Sequence, residues 1–482
     1  MTGKNPLGGL SGFSKALVLL FLVTLPLVNP WIRGDGVGYY AYVRSLLIDH
    51  DLRFEDEWLA GNSFFVQSRL DSSGALRGDL YTPTGRIANL SSVGPSILWA
   101  PFLVVTHLSV LTLDCFGFSI PADGYSRPYV MTMAVATALY GFLGLCFAYA
   151  LARNYFGEAW AFLATVGIWF ASSLPVYMYF NPSWSHAHSA FTVSWFLWYW
   201  HRTREGRTFL QWILLGLLAG LVVDVYYPNG LVLLVPLLES LAKYWRRWSA
   251  QPREWSVIGR LIIANLLFAI AGIVAFLPTV VTRAIIFGSP FSTGYAPLAI
   301  WNWTSPALWQ VLFSSNHGLL SWTPILIPAL LGLGVLWRSD RFLACSLGAV
   351  FLVFYYLIAS YSSWHGISSF GNRFFISLTP LFVLGLAAML SRLGEWLRSP
   401  RVARRAAGAT VGVFVLWNAG FIYQWGMHLI SPRGPISWRT MIHNQVAVVP
   451  GRFLRDVDRY LFHRGAIMNA IEETDTDSLR KK

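Results

Sequence analysis

The stretch Gly259 to Val281, GRLIIANLLFAIAGIVAFLPTVV, carries no acidic or basic residue after Arg260. About 20 apolar residues are enough for a helix to cross the hydrocarbon core of a bilayer. This segment therefore reads as a membrane span, and its neighbours repeat the pattern. Comparable apolar runs lie near 14–31, 129–152, 159–177, 186–201, 209–224, 229–243, 319–337, 342–360, 373–391 and 408–428, with a further one near 93–112. The 482-residue chain is 55% hydrophobic and 12% charged, against roughly 25% charged in a soluble globular chain. A closed β-barrel alternates polar and apolar residues, and these runs do not. The expectation is an all-α polytopic membrane protein with about 11–13 transmembrane helices. Residues 1–428 form the membrane domain, with long polar loops at 32–92 and 282–318. Residues 429–482 form an amphipathic tail, expected to fray from Glu472 to Lys482.

The net charge of +13 is read as topology, because cytoplasmic loops collect Lys and Arg. Four loops are strongly basic: Arg202/Arg204/Arg207, Lys243/Arg246/Arg247/Arg253/Arg260, Arg338/Arg341 and Arg392/Arg398/Arg401/Arg404/Arg405. All four can be cytoplasmic together with Lys4 and Lys15, which puts the two long loops, the 361–372 loop and the tail outside. This holds if the 93–112 run, which contains Pro95 and Pro101, does not cross alone. Basic residues in short loops between spans make a poor nucleic-acid surface. The cysteines, Cys115, Cys146 and Cys345, are too far apart to read as a disulfide framework. The first run lacks a small-residue cleavage site and reads as a retained helix. One GxxxG pair, Gly216/Gly220, is weak evidence for dimerisation. No P-loop, Rossmann glycine fingerprint, HExxH or GxSxG is present.

Polar residues concentrate on the outer side. Gly34-Asp35-Gly36-Val37-Gly38-Tyr39-Tyr40-Ala41-Tyr42-Val43-Arg44 follows the first span, and residues 36–48 read as a short amphipathic helix on the outer membrane face. Asp35 is either its N-cap or the base of a site at the lip of the membrane. Asp49 and Asp51 form an Asp-x-Asp pair, read as weak ligands for a divalent cation or as turn chemistry. Asn181-Pro182-Ser183-Trp184-Ser185-His186-Ala187-His188 opens a span with groups that bind phosphate or sugar hydroxyls, or that cap and bridge helices. His317 ends the second long loop. Trp364, His365 and Arg373 belong to the 361–372 loop and the span entrance after it. Arg373 there either binds a lipid-linked phosphate or snorkels to headgroups.

Here the chain resembles the GT-C class of glycosyltransferases, which use polyprenyl-phosphate sugars. The likeness is to the protein O-mannosyltransferase and aminoarabinose-transferase branch, whose first outer loop begins Asp-Glu-x-x-Tyr with an arginine further along the same helix. Asp35 matches the acid, Tyr39 the tyrosine and Arg44 the arginine, while Gly36 stands where the family has Glu. Val93-Gly94-Pro95 through Ala100-Pro101, Pro182 through His186, His317-Gly318 to Pro324 and Gly371-Asn372-Arg373-Phe374-Phe375 resemble bacterial members. The resemblance implies a GT-C-like bundle in the bacterial inner (plasma) membrane, with its site on the extracytoplasmic side. It implies inverting transfer from a polyprenyl-phosphate sugar to a glycan, lipid or protein acceptor. Asp35 would be the general base, and Arg44, Arg373 and His317 would stabilise the phosphate leaving group. Tyr39, Tyr40, His186, Trp364 and His365 complete the candidate substrate-binding set. No cofactor is implied beyond an optional divalent cation. A transporter or flippase of lipid-linked sugars is the alternative.

Overall fold

The computed structural model describes residues 11–251, 254–292, 300–397 and 399–480. Lys4, Arg253, Arg398 and part of the second long loop lie outside them. Among the described residues the chain is helical, with only isolated bridges such as Leu70↔Leu76 and Tyr81↔Ile87 within the first long loop.

In order, the chain runs through α1 Gly12–Thr24, α2 Asp35–Arg44, α3 Glu55–Leu59, α4 Ser63–Gln67, α5 Gly94–Cys115 and α6 Arg127–Ala152. It continues through α7 Glu158–Phe170, α8 His186–Thr203, α9 Phe209–Val225, α10 Leu234–Trp248 and α11 Trp255–Phe287. Then come α12 Leu308–Phe313, α13 Leu319–Trp322, α14 Leu326–Leu336, α15 Arg341–Ser360, α16 Thr379–Trp396 and α17 Pro400–Gly426. The tail supplies α18 Trp438–His443, α19 Val449–Phe462 and α20 Arg464–Arg480.

Six of the described helical segments are long and apolar enough to cross a membrane: α5, α6, α11, α15, α17 and the continuous stretch Arg373–Trp396. Four apolar helices are shorter: Gly12–Leu27, α7, α9 and α14. The chain is thus a multi-pass helical membrane protein, with fewer uninterrupted spans than its hydropathy predicts. The reason is local. α7 stops at the Ala171–Ser173 bend and Pro175 opens the turn that follows, and Pro228-Asn229-Gly230 puts a 3-10 turn, Tyr227–Leu233, between α9 and α10. Pro324 separates α13 from α14. Proline removes a ladder donor and clashes with the preceding turn, and such breaks survive at membrane depth where they are enclosed by protein.

The basic loops gather at one end of the bundle. Arg204 pairs with Asp340 at 2.6 Å, and the Tyr155 hydroxyl lies 2.6 Å from His201 Nε2 while donating to Asp340 at 2.9 Å. Lys243 donates to Glu239 at 2.6 Å and to the Arg204 carbonyl at 3.2 Å. Phe13 packs on Phe162 with ring centroids 5.2 Å apart, and Gly394 abuts Trp160. The start of α1 and the end of α16 therefore share that end.

The opposite end is built from the helix breaks and the first long loop. α5 packs antiparallel on α6 through Trp99 Nε1 to Thr137 (2.9 Å), Thr106 with Thr132 (2.8 Å) and His107 with Tyr129 (2.7 Å). It starts opposite the middle of α6, where the Tyr140 hydroxyl donates to the Leu98 carbonyl. Its first turn abuts the end of α9: a Cβ on Gly94 would lie 2.4 Å from the Val225 nitrogen. α5 therefore does not extend to the basic end.

Three expectations need correction. α2 is not an interfacial helix: Gly36, Val37, Gly38 and Tyr40 to Val43 are buried. Apolar residues on all its sides, with glycines that admit close neighbours, make it a core helix. The Gly216/Gly220 pair serves no dimer, because both glycines receive α11 of the same chain, with added Cβ atoms 2.3 and 2.4 Å from the Phe268 and Gly272 carbonyl oxygens. The tail does not fray at Glu472 either. Its carboxylate accepts from Asn62 Nδ2 (2.9 Å) and the Phe64 amide (2.8 Å), and Asp475 pairs with Arg33 at 2.9 Å.

Candidate functional site

Asp35 is the first residue of α2, and its N-cap is Gly34, whose φ of 54° suits glycine. The Asp35 carboxylate therefore does not cap the helix. Instead its Oδ2 forms an ion pair with Arg373 Nη2 at 2.8 Å. The Asp35 side chain is half exposed while that of Arg373 is only 10% exposed, so a buried cation meets a carboxylate that faces open space. Asp35 Oδ1 has no partner among the described residues.

Gly36 is required where it stands. A Cβ there would lie 2.0 Å from Ser183 Oγ, so the Asn181–Ser185 turn occupies the space a longer side chain would need. This turn carries Trp184, whose Nε1 donates to the Arg33 carbonyl at 2.9 Å and whose ring lies 4.2 Å under the Arg373 guanidinium. Desolvated cation–π contacts of this kind hold an arginine in place.

Arg373 opens a 3-10 turn, Arg373–Leu378, ahead of α16. The loop before it is locked by its own backbone. Asn372 Nδ2 donates to the Trp364 carbonyl (3.1 Å), Ser369 Oγ to the Gly371 carbonyl (2.7 Å), and the Phe370 amide to the Tyr177 hydroxyl (3.1 Å). Gly366, at a φ of 71°, passes so close that a Cβ would sit 3.2 Å from Arg373 Nε. Even so, Arg373 Nε and Nη1 are buried with no hydrogen-bond partner among the described residues. Arg373 is thus held by one carboxylate and two rings, those of Trp184 and Phe374, and keeps two donors of the kind that bind anions.

Neighbouring groups continue the pattern. The charge of Arg373 bears on Tyr39, Tyr177, His186, His317 and His365. Burial, and then the charge of Asp35, push the Tyr39 hydroxyl up to about 12, so it remains a neutral donor. His317 is fully buried with neither ring nitrogen partnered, and its φ of 61° is unusual for a residue with a Cβ. Burial, reinforced by His365 and Arg373, lowers it to about 3, which keeps the imidazole neutral. His365 is lowered for the same reasons, burial first and Arg373 second. Ser183 Oγ and His186 Nδ1 are also buried without hydrogen-bond partners. Buried polar groups are normally satisfied, so this concentration makes the region the candidate site.

Asp35, Tyr39, His186, His317, His365 and Arg373 thus converge, and Trp364 holds the loop that carries Arg373. The other sequence candidates lie elsewhere. Tyr40 is buried and donates to the Gly124 carbonyl at 2.6 Å. Arg44 pairs with Asp49 and, at 3.0 Å, with Glu57, and its Nε donates to the Asp123 carbonyl at 3.1 Å. Asp51 accepts from Ser45 Oγ and the Arg53 amide. No group of three or more His, Cys, Asp or Glu residues that could hold a metal exists among the described residues, so the Asp49/Asp51 pair gathers no further ligands.

Among solved structures, the chain is similar to ArnT from Cupriavidus metallidurans in the apo state. The TM-score is 0.46 at 14% identity, covering 86% of this chain and 70% of that one. No family model and no curated protein sequence matches the chain.

Residues that sequence reading missed include Tyr177, Arg69 and Arg283. Arg69, in the first long loop, lies over the Phe65 ring at 3.5 Å and adds a second positive charge that Asp35 acts upon. Arg283 donates to the carbonyls of Asn89 (2.7 Å), Leu90 (3.1 Å) and Ser91 (2.9 Å). Asn89 in turn donates to the Gly38 carbonyl at 2.8 Å, so Arg283 braces the helix that presents Asp35.

Proposed function

We propose that the protein is an integral-membrane glycosyltransferase that moves a sugar from a polyprenyl-phosphate donor to an acceptor hydroxyl on the extracytoplasmic side, with inversion. The observation that carries this reading is the Asp35–Arg373 pair: a carboxylate with one free oxygen, held by a buried arginine with two donors still unsatisfied. Its position at the end opposite the basic loops accords with an extracytoplasmic site.

In this reading the acceptor O–H gives its proton to Asp35 Oδ1 as the oxygen attacks the anomeric carbon. The bond from that carbon to the lipid phosphate breaks, and the phosphate leaves with the electron pair. Arg373 meets the growing charge through Nε and Nη1, with Tyr39, Ser185 and neutral His186 and His317 as further hydrogen-bonding groups. A phosphate leaving group needs no protonation, so one carboxylate suffices where most glycosidases use two.

The test is donor turnover in proteoliposomes charged with a polyprenyl-phosphate sugar, read as release of polyprenyl phosphate. Asp35→Asn should lower turnover by about 10²–10⁴-fold in a variant that still folds and inserts into the membrane. Turnover equal to that of the native protein would remove Asp35 from the role of base.

A further inference from the structure

Arg33, two residues before Asp35, lines a second space that the proposed chemistry does not use. It is a cavity of about 330 Å³ between the Pro175–Asn181 break, α17 and the tail helices α19 and α20. Its walls are almost wholly apolar, with Tyr179, Val415, Ala419, Val457 and Ile467 among them. The size falls in the ~300–1,000 Å³ range of ligand pockets. An apolar cavity of only ~150 Å³ already stays dry and takes up hydrocarbon.

The roof identifies the surroundings. α19 turns Phe453, Val457 and Tyr460 toward the cavity. Its other side exposes Leu454, Leu461 and Phe462 beside Arg452, Arg455 and Arg459. Exposed apolar residues flanked by arginine are the pattern of a helix lying at a lipid–water boundary. The roof is moored at its edges by polar contacts: the Tyr460 hydroxyl to the Leu27 carbonyl (3.0 Å), Arg464 to the Pro26 carbonyl (2.6 Å), and Asp475 to Arg33 (2.9 Å). At such a boundary the abundant apolar solute is the lipid chain.

We infer that this cavity holds one hydrocarbon chain of a lipid, roofed by the protein's own C-terminal helices, with the lipid's polar head at the Arg33 rim next to Asp35. The binding of the chain stands by itself; the meaning of the head's position rests on the transferase reading. Trp184 divides the two spaces. Its Nε1 binds the carbonyl of Arg33 on the cavity side, and its ring face carries Arg373 on the other. The break before it divides likewise, with Tyr177 turned to the Arg373 loop and Tyr179 to the cavity.

Two photo-crosslinking probes in proteoliposomes test this: a polyprenyl phosphate and a diacyl phospholipid, each with a diazirine in its chain. One of them should place adducts within 415–427 and 453–471. A polyprenyl adduct assigns the cavity to the donor chain, and an acyl adduct assigns it to an acyl lipid. Ala419→Trp, which fills the cavity, should cut adduct yield by at least about tenfold. Ile467→Phe, filling it from the roof, provides the same reading if the first variant does not fold. Adducts from both probes falling elsewhere, or yields unchanged in a folded filled variant, would overturn the proposal. Asp35→Asn should keep the adducts. If that variant also kept full turnover, the transferase reading would fall and the lipid cavity would stand.

Discussion

The two faces of α2 carry the same chemistry to opposite ends. On one face Asp35 meets Arg373, and on the other Arg44 meets Glu57 and Asp49. Arg44 spends Nη1 on two carboxylates and Nε on a backbone carbonyl, and it holds the 49–57 segment and the Asp123–Tyr125 turn against the helix. Arg373 satisfies one carboxylate and keeps two buried nitrogens without hydrogen-bond partners. Both arginines are nearly buried, so burial alone does not separate them. Hydrogen-bonding capacity does, because buried polar groups are normally satisfied and the two nitrogens of Arg373 are those the proposed phosphate would meet.

Exchanging the two arginines should break or confirm that contrast. Arg373→Ala should lower donor turnover by about 10²–10³-fold, the scale of losing a donor aimed at transition-state charge, with little change in melting. Arg44→Ala should do the reverse. It leaves Glu57 buried without its partner, a loss of roughly 3–5 kcal/mol of stability, while turnover per folded molecule stays within a few-fold. Donor turnover that survives Arg373→Ala, or collapses in folded Arg44→Ala, would show that the faces had been assigned the wrong way round.

Gly36→Ala should fall between them. The added methyl meets Ser183 Oγ at 2.0 Å, and overpacking of this kind costs typically 1–3 kcal/mol. Because the Asn181–Ser185 turn also carries Trp184, the displacement should reach Arg373 and reduce turnover as well as stability. Ser183→Gly in the same molecule should restore both. Failure of the double variant to recover either one would separate Gly36 from that turn.

How much of this could be read from the sequence differs between the same regions. The apolar runs announced a membrane bundle, and the basic loops announced that they share one end. The interruptions were less visible. A hydropathy window passes over Pro175, Pro228 and Pro324 because the flanks remain apolar, yet each lies in a break between helical segments that brings polar backbone toward the site. Tyr177, Arg69 and Arg283 are far from Asp35 in sequence, and only the packing of distant segments brings them near. Arg44 was misplaced for a reason the sequence did contain. At 3.6 residues per turn, nine residues rotate a side chain to roughly the opposite face, whereas the four residues to Tyr39 keep it on the same one. Gly36 departs from the Asp-Glu pattern of the resembling family, and its explanation is steric: Ser183 already fills the space.

The smallest effect sharpens the contrast through pH. Burial raises the Glu57 carboxyl from its ordinary value to about 7, against the opposing pull of Arg44. Asp49 is raised too, again by burial first. An acid with a raised native pKa is protonated in the folded protein while still ionised in the unfolded chain. Between about 4.5 and 7 the native state therefore binds more protons, and stability falls as pH rises through that window. Glu57→Gln keeps the hydrogen-bonding shape and removes the titration. Melting temperatures at pH 5 and pH 8, values chosen to bracket the window, should differ less in that variant than in the native protein. Asp49 would supply what slope remains. An undiminished slope would place the titrating group elsewhere and leave the Arg44 face as a permanently charged brace.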